Sequence, residues 1–104
     1  MAETKERLEQ VIRVIEGLSR NAVWSYAWIG CALGHASRDL YFTTRGFKWS
    51  TSRGWPTYDG HSGIVACQMF LGINHEAMQG MFLLPPGTTR AEVVEAIRAH
   101  IAGL

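Results

Sequence analysis

The chain has 104 residues and a formal net charge of +1; 47% of the residues are hydrophobic and 11% aromatic. A chain of this length builds one core rather than two, and its apolar content excludes a disordered polar tail. The near-zero charge excludes a global attraction to nucleic acid, and no apolar run approaches the ~20 residues that span a bilayer.

A single compact domain over residues 1–104 is therefore expected. The charged opening MAETKERLEQ has neither the apolar stretch nor the cleavage pattern of a secretory signal. A cytoplasmic location follows as an expectation, with Cys31 and Cys67 as reduced thiols. A disulfide between them would need Cα atoms within about 7 Å.

The first element is an amphipathic helix. Leu8, Val11, Ile12, Ile15 and Leu18 recur at helical spacing, while Glu6, Arg7, Glu9, Arg13 and Glu16 take the other faces. Gly17 or Asn21 ends it, and residues 21–26 form a short connection. A second helix is expected from Trp28 to Leu40. Its Gly30 and Gly34 would each cost about 1 kcal/mol relative to alanine, a cost offset where another backbone packs on the small face.

Residues 41–63 mix Gly, Ser, Thr and Pro with six aromatic side chains. Two short strands, 41–44 and 47–51, would make a hairpin about Arg45-Gly46; the alternative is a long ordered loop. Ser62 or Gly63 opens a third helix, Ile64 to Leu71, which Gly72 stops. Asn74 caps a short fourth helix through Phe82. Pro85-Pro86-Gly87 is a firm break. Thr89 and Glu92 then form a capping box for a last helix with Val93, Val94, Ile97 and Ile101 inward. The expected fold class is mainly α, either all-α or α+β. It would have four to five helices around one core, with a short β-hairpin or long loop at about 41–58.

The segment CALGHAS, followed by ACQMFLGINHEAMQGMF, resembles a family of small uncharacterised bacterial and phage-borne proteins. That family carries a C-x-x-G-H-A-like helix, then an A-x-x-x-x-L-G-I/L segment and a helix ending in Met/Leu-Phe. The matching residues are Cys31, Gly34, His35, Ala36, Ala66, Leu71, Gly72, Ile73, Met81 and Phe82. Trp28-Ile29-Gly30 stands where the family often has Cys-Gly-Thr. The resemblance implies a compact helical domain and no established activity.

Four constellations carry candidate chemistry. Cys31 and His35 lie four apart on one helix face and would bind zinc if His61, Cys67 or His75 completed the set. No C-x-x-C pair supports this, and Cys31 reads more simply as a small core residue. Cys–His nucleophilic catalysis would need Asp39 or Asp59 to orient the imidazole, and no nucleophile turn precedes either cysteine. A helix-turn-helix around Gly72 would place His75–Phe82 in a DNA groove, but that helix has no Arg or Lys. An αα-corner is the simpler reading.

The fourth constellation is the strongest. Arg38, Arg45, Lys48 and Arg53 interleave with Tyr41, Phe42, Phe47, Trp49, Trp55 and Tyr58, opposed only by Asp39 and Asp59. Aromatic rings beside arginines dominate protein interfaces, and the same pairing stacks bases and neutralises phosphate. The candidate binding residues are Arg45, Phe47, Lys48, Trp49, Arg53, Trp55 and Tyr58, with Trp24, Trp28 and Phe42 assigned to the core. The expected function is a protein-interaction module using residues 41–63, as a homo-oligomer or as a phage- or host-type inhibitor or adaptor. The alternatives are a binder of nucleic acid or of a phosphate-containing ligand through the same segment, and a Cys31-centred zinc site or cysteine enzyme. The residues lean against an enzyme and call for no cofactor and no membrane partner.

Overall fold

A computed structural model describes residues 2–25 and 27–104; Met1 and Tyr26, the latter in the expected 21–26 connection, lie outside the described residues. Helix α1 spans Ala2–Gly17, and a 3-10 turn spans Trp28–Gly30. Two short helices follow, α2 (Ala32–Ala36) and α3 (Leu40–Thr43). Strands β1 (Lys48–Ser50), β2 (Trp55–Tyr58) and β3 (His61–Ser62) come next. Helices α4 (Gly63–Leu71), α5 (His75–Met81) and α6 (Arg90–Ala102) complete the chain. The fold is thus mainly helical with a small antiparallel sheet, the α+β form of the expectation. Among the described residues no helix is long and apolar enough to cross a membrane.

Helix α1 buries Leu8, Val11, Ile12, Val14 and Ile15. That stripe is the predicted one with Val14 added; Leu18 falls just past the helix and is half-buried. The stripe meets α2 and α6.

The single helix expected over 28–40 is broken twice, because two residues in it act as caps. Cys31 is extended (φ −84°, ψ 167°), and its Sγ accepts the Gly34 N–H at 3.4 Å. Asp39 is also extended, and its carboxylate accepts the Tyr41 N–H at 3.0 Å. Each cap satisfies an open donor of the helix that follows and so starts a new one. This split is why six α-helices stand among the described residues where four or five were expected.

The hairpin also differs from the expected one. Residues 41–43 belong to α3, and the paired strands are β1 with β2 and β2 with β3. Strand β2 is central, with Lys48 opposite Thr57, Trp49 opposite Pro56 and Ser50 opposite Trp55. Pro56 has no N–H to donate, and β3 pairs only with Thr57 and Tyr58, so the proline sits where the ladder has ended. The Trp49 N–H instead reaches the Ser37 carbonyl at 3.0 Å, which covers the outer edge of β1. Asp59 and Gly60 join β2 to β3 with φ of 49° and 80°. Two successive left-handed residues match the twist of a tight hairpin, and Asp-Gly is a favoured pair for it.

Helix α4 lies against the sheet. Phe42, Phe47 and Phe70 are fully buried, and Tyr58 packs on Phe70 from β2. Gly72 stops α4 in the left-handed region (φ 69°), and its N–H bonds the Gln68 carbonyl at 2.8 Å. Asn74 caps α5 as expected, its Oδ1 accepting the Ala77 N–H at 2.8 Å. The α4–α5 corner buries Phe70, Leu71, Met78 and Met81 in the core, which is the αα-corner reading. Helix α6 opens with the expected capping box: Thr89 Oγ1 accepts from the Glu92 N–H, and the Glu92 carboxylate accepts from the Thr89 N–H. The Thr89 N–H, and after it the Thr89 hydroxyl, hold the Glu92 carboxyl below its ordinary range.

Arg90, the first residue of α6, closes the molecule. Its guanidinium donates to the carbonyls of Leu18, Ser19 and Ala22 at 3.5, 3.0 and 3.0 Å. It also lies 5.7 Å from the Trp24 ring centre. The end of α1 and the connection after it are therefore held from the far end of the sequence.

Candidate functional site

Strand alternation sorts the candidate binding residues onto two faces. Residues directly opposite in an antiparallel pair share a face. Lys48, Ser50, Trp55 and Thr57 therefore form one face of the β1–β2 hairpin, and Trp49, Pro56 and Tyr58 the other. The second face is the core side: Pro56 is buried, and the Tyr58 ring meets Phe70 edge-on at 5.1 Å. The first face is the accessible one. Lys48 is exposed, and Arg53 is exposed in the turn beside it, its N–H held by Ser50 Oγ at 3.3 Å.

Of the candidate residues, Lys48, Arg53 and Trp55 lie on or beside the accessible face, Trp49 and Tyr58 on the core side, and Phe47 within the core. Phe47 has 0% exposure and stacks on Phe70 at 5.0 Å, so it belongs to the core and not to a contact surface. Tyr58 is half-buried for the same reason. Trp49 is half-buried, and Arg38 lies 5.0 Å from its ring centre. Arg45 is exposed but tethered: its guanidinium sits 3.7 Å above the Tyr41 ring and donates to the Tyr41 carbonyl at 2.9 Å. Trp55 is half-buried, and among the described residues neither its buried Nε1 nor the buried Tyr41 hydroxyl has a hydrogen-bond partner. Two guanidinium–ring stacks thus stiffen the cationic side chains that flank the sheet.

Of the two acidic residues in this segment, Asp39 is occupied: it pairs with Arg13 at 2.7 Å while it caps α3. Asp59 is exposed in the turn between β2 and β3. Lys48, Arg53 and Arg45 outnumber it, so the hairpin face and its flanks are more basic than the nearly neutral protein as a whole.

The Cys31–His35 pair resolves into two separate structural roles. Cys31 Sγ donates to the Trp28 carbonyl at 3.5 Å while it caps α2. Burial pushes both the Cys31 and the Cys67 thiol up, which keeps them protonated near neutral pH. Both cysteines are free. His35 reaches neither of them: its Nε2 lies 2.6 Å from the Val23 carbonyl and its Nδ1 3.3 Å from the Arg38 guanidinium. His35 is held instead by the connection after α1. His61 is exposed on β3, and His75 opens α5. Among the described residues, no group of three or more His, Cys, Asp or Glu side chains could hold a metal ion.

These contacts also assign the tautomer of His35. A carbonyl at Nε2 requires an N–H there, and an arginine at Nδ1 requires a lone pair. Neutral imidazole meets both demands; imidazolium loses the second and adds a cation beside Arg38. Burial lowers the His35 pKa first, with Arg38 and Arg90 adding to it, against a smaller opposite pull from the Val23 carbonyl. A depressed pKa means that the unfolded chain takes up the proton first as pH falls. The contribution of His35 to stability is present above about pH 6.5 and is lost as pH falls below it. Urea midpoints measured on both sides of that pH should drop more steeply in the wild type than in His35→Gln. Equal drops would show that the histidine does not titrate against the fold.

Sequence reasoning missed the part played by Trp24 and Trp28. Both were assigned to the core, yet both are half-buried and line a cavity with Phe82 and the 83–89 loop. Their distance from Pro85 in sequence hid the contact, and no local signal pointed to it. Comparisons with protein-family models, with curated proteins and with solved structures find no match to this chain.

Proposed function

We propose that this protein is an interaction module that docks an acidic surface of a partner protein onto the open face of the β1–β2 hairpin. The observation that carries the reading is the arrangement of Trp55 between Lys48 and Arg53 on a sheet backed by α4. A half-buried tryptophan supplies apolar contact area, and the cations beside it supply charge complementarity. The Phe42–Phe47–Phe70–Tyr58 cluster beneath the sheet fixes the hairpin before any partner arrives, so little ordering entropy is lost on binding.

Self-association through this face is the weaker form of the idea. In a two-fold contact each cation meets the same surface on the other copy, and like charges oppose. An inhibitor or adaptor that meets an acidic partner, in the cytoplasm, fits the charge better.

The test uses an immobilised peptide of alternating Glu and Leu residues, with duplex DNA and single-stranded RNA as parallel surfaces. Wild-type protein should bind the peptide, and Lys48→Glu with Arg53→Glu should weaken it about tenfold or more, roughly 1.4 kcal/mol. The double variant should keep the wild-type urea midpoint, because both side chains are exposed. Tighter binding to DNA or RNA than to the peptide, with a steep salt dependence, would replace the protein partner by nucleic acid. Equal peptide binding by both proteins would remove the hairpin face from the function.

A further inference from the structure

A cavity of about 470 Å³ lies where Trp24, Ser25, Trp28 and the start of α2 meet α4, α5, the 83–89 loop and α6. It shares no residue with the hairpin face. Its volume falls within the roughly 300–1,000 Å³ of sites that enclose small organic molecules. Trp24, Trp28, Ile64, Phe82 and Leu84 form much of its wall, each only partly buried against the core. Leu83 beside them is 40% exposed.

Most of the polar side chains in the wall are already committed. Trp24 Nε1 donates to the Thr88 carbonyl at 2.9 Å, and Thr88 Oγ1 donates to the Pro85 carbonyl at 2.7 Å. Thr89 Oγ1 takes the Glu92 N–H in the capping box. The Cys31 thiol bridges Trp28 and Gly34. Arg90, the charged side chain among the described lining residues, spends its guanidinium on three backbone carbonyls. A charged ligand entering here would exchange its full hydration shell for the few donors left in the wall, which is costly. A neutral apolar one would lose little and would cover ring faces now open to water.

The same bonds keep the cavity from collapsing. The Trp24–Thr88 bond ties the connection after α1 to the loop before α6, 64 residues away. The Thr88–Pro85 bond and the capping box fix the shape of that loop. The site is thus preformed rather than induced.

We infer that this cavity is a binding site for a small neutral aromatic molecule, held by the Trp24, Trp28 and Phe82 rings. The inference is independent of the hairpin reading. N-phenyl-1-naphthylamine and its 8-sulfonate analogue share a ring system and differ in charge, so the pair tests it on the full chain. The neutral dye should bind saturably, one per chain, with enhanced blue-shifted emission, and the sulfonate at least tenfold more weakly. Ile64→Trp, which fills the cavity, should weaken the neutral dye about tenfold. Leu84→Arg should do the same and reverse the preference toward the sulfonate. Non-saturable binding, or equal affinity of the wild type for the two dyes, would overturn the inference even if both variants failed to fold. Unchanged dye binding in two folded variants would place the dye elsewhere and overturn it too.

Discussion

Phe70→Ala should lower the unfolding free energy by about 3–5 kcal/mol, a large part of the 5–15 kcal/mol typical of a folded domain. Phe70 is 1% exposed, and its ring lies within 5.6 Å, centre to centre, of the rings of Phe42, Phe47 and Tyr58. Its outer side is covered as well: the Arg7 guanidinium sits 4.2 Å from the ring centre and donates to the Phe70 carbonyl at 2.6 Å. One side chain therefore joins α1, α3, β2 and α4. Truncation leaves a void that four elements would have to move to fill, and they cannot all move together. Urea unfolding followed by tryptophan fluorescence measures the effect, with an expected midpoint loss of about 2 M at a slope near 2 kcal/mol per M. A loss below about 1 kcal/mol would mean that the aromatic cluster does not hold the sheet to the helices.

Gly30→Ala should also destabilise, by about 1–3 kcal/mol, and here the sign is the informative part. If residues 28–40 formed one helix, alanine at position 30 would stabilise by about 1 kcal/mol. In the structure a Cβ at Gly30 would lie 2.5 Å from Ser25 Oγ and 2.9 Å from both the Ser25 N and Val23 Cγ1. The hydroxyl can rotate away. The Ser25 N cannot, because it donates to the carbonyl of Gly30 itself at 3.1 Å. The 23–25 connection must then shift, and it carries Trp24 and the Val23 carbonyl that holds His35. Comparing the urea midpoints of Gly30→Ala and wild type decides between the two accounts. A raised midpoint would mean that the connection does not pack on Gly30.

The contrast at Gly30 shows where the sequence could be read and where it could not. Helices with their own start and stop signals were legible: α1 by its spacing, α4 by Gly72, α5 by Asn74 and α6 by the Thr89–Glu92 box. These signals act within a few residues. The 28–40 stretch misled because Cys31 is a rare cap and Asp39 was weighed as a catalytic orienter rather than as a helix start. The close approach expected on its small face was right for Gly30, but the approaching chain precedes it in sequence. The hairpin was placed one turn too early; Asp59-Gly60 carried the stronger turn signal. Of the candidate contact residues, Lys48 and Arg53 could be read as exposed cations. The burial of Phe47 depended on Phe70, more than twenty positions away, and composition does not encode such a pairing.

The Arg90 clasp bears on how this chain acquires its shape during synthesis. The carbonyls it satisfies lie 68 to 72 residues upstream. When α1 leaves the ribosome, the part of its stripe that packs on α2 finds its partner early, but the part that packs on α6 and the carbonyls that Arg90 satisfies wait until most of the chain has been made. The packing around the end of α1 is thereby completed only when the last helix has emerged. The entropy of closing so long a loop must be met before the contacts that reward it form. A stalled nascent chain that stops short of Arg90 should stay open to protease at residues 18–25 and become resistant there once the arginine has emerged.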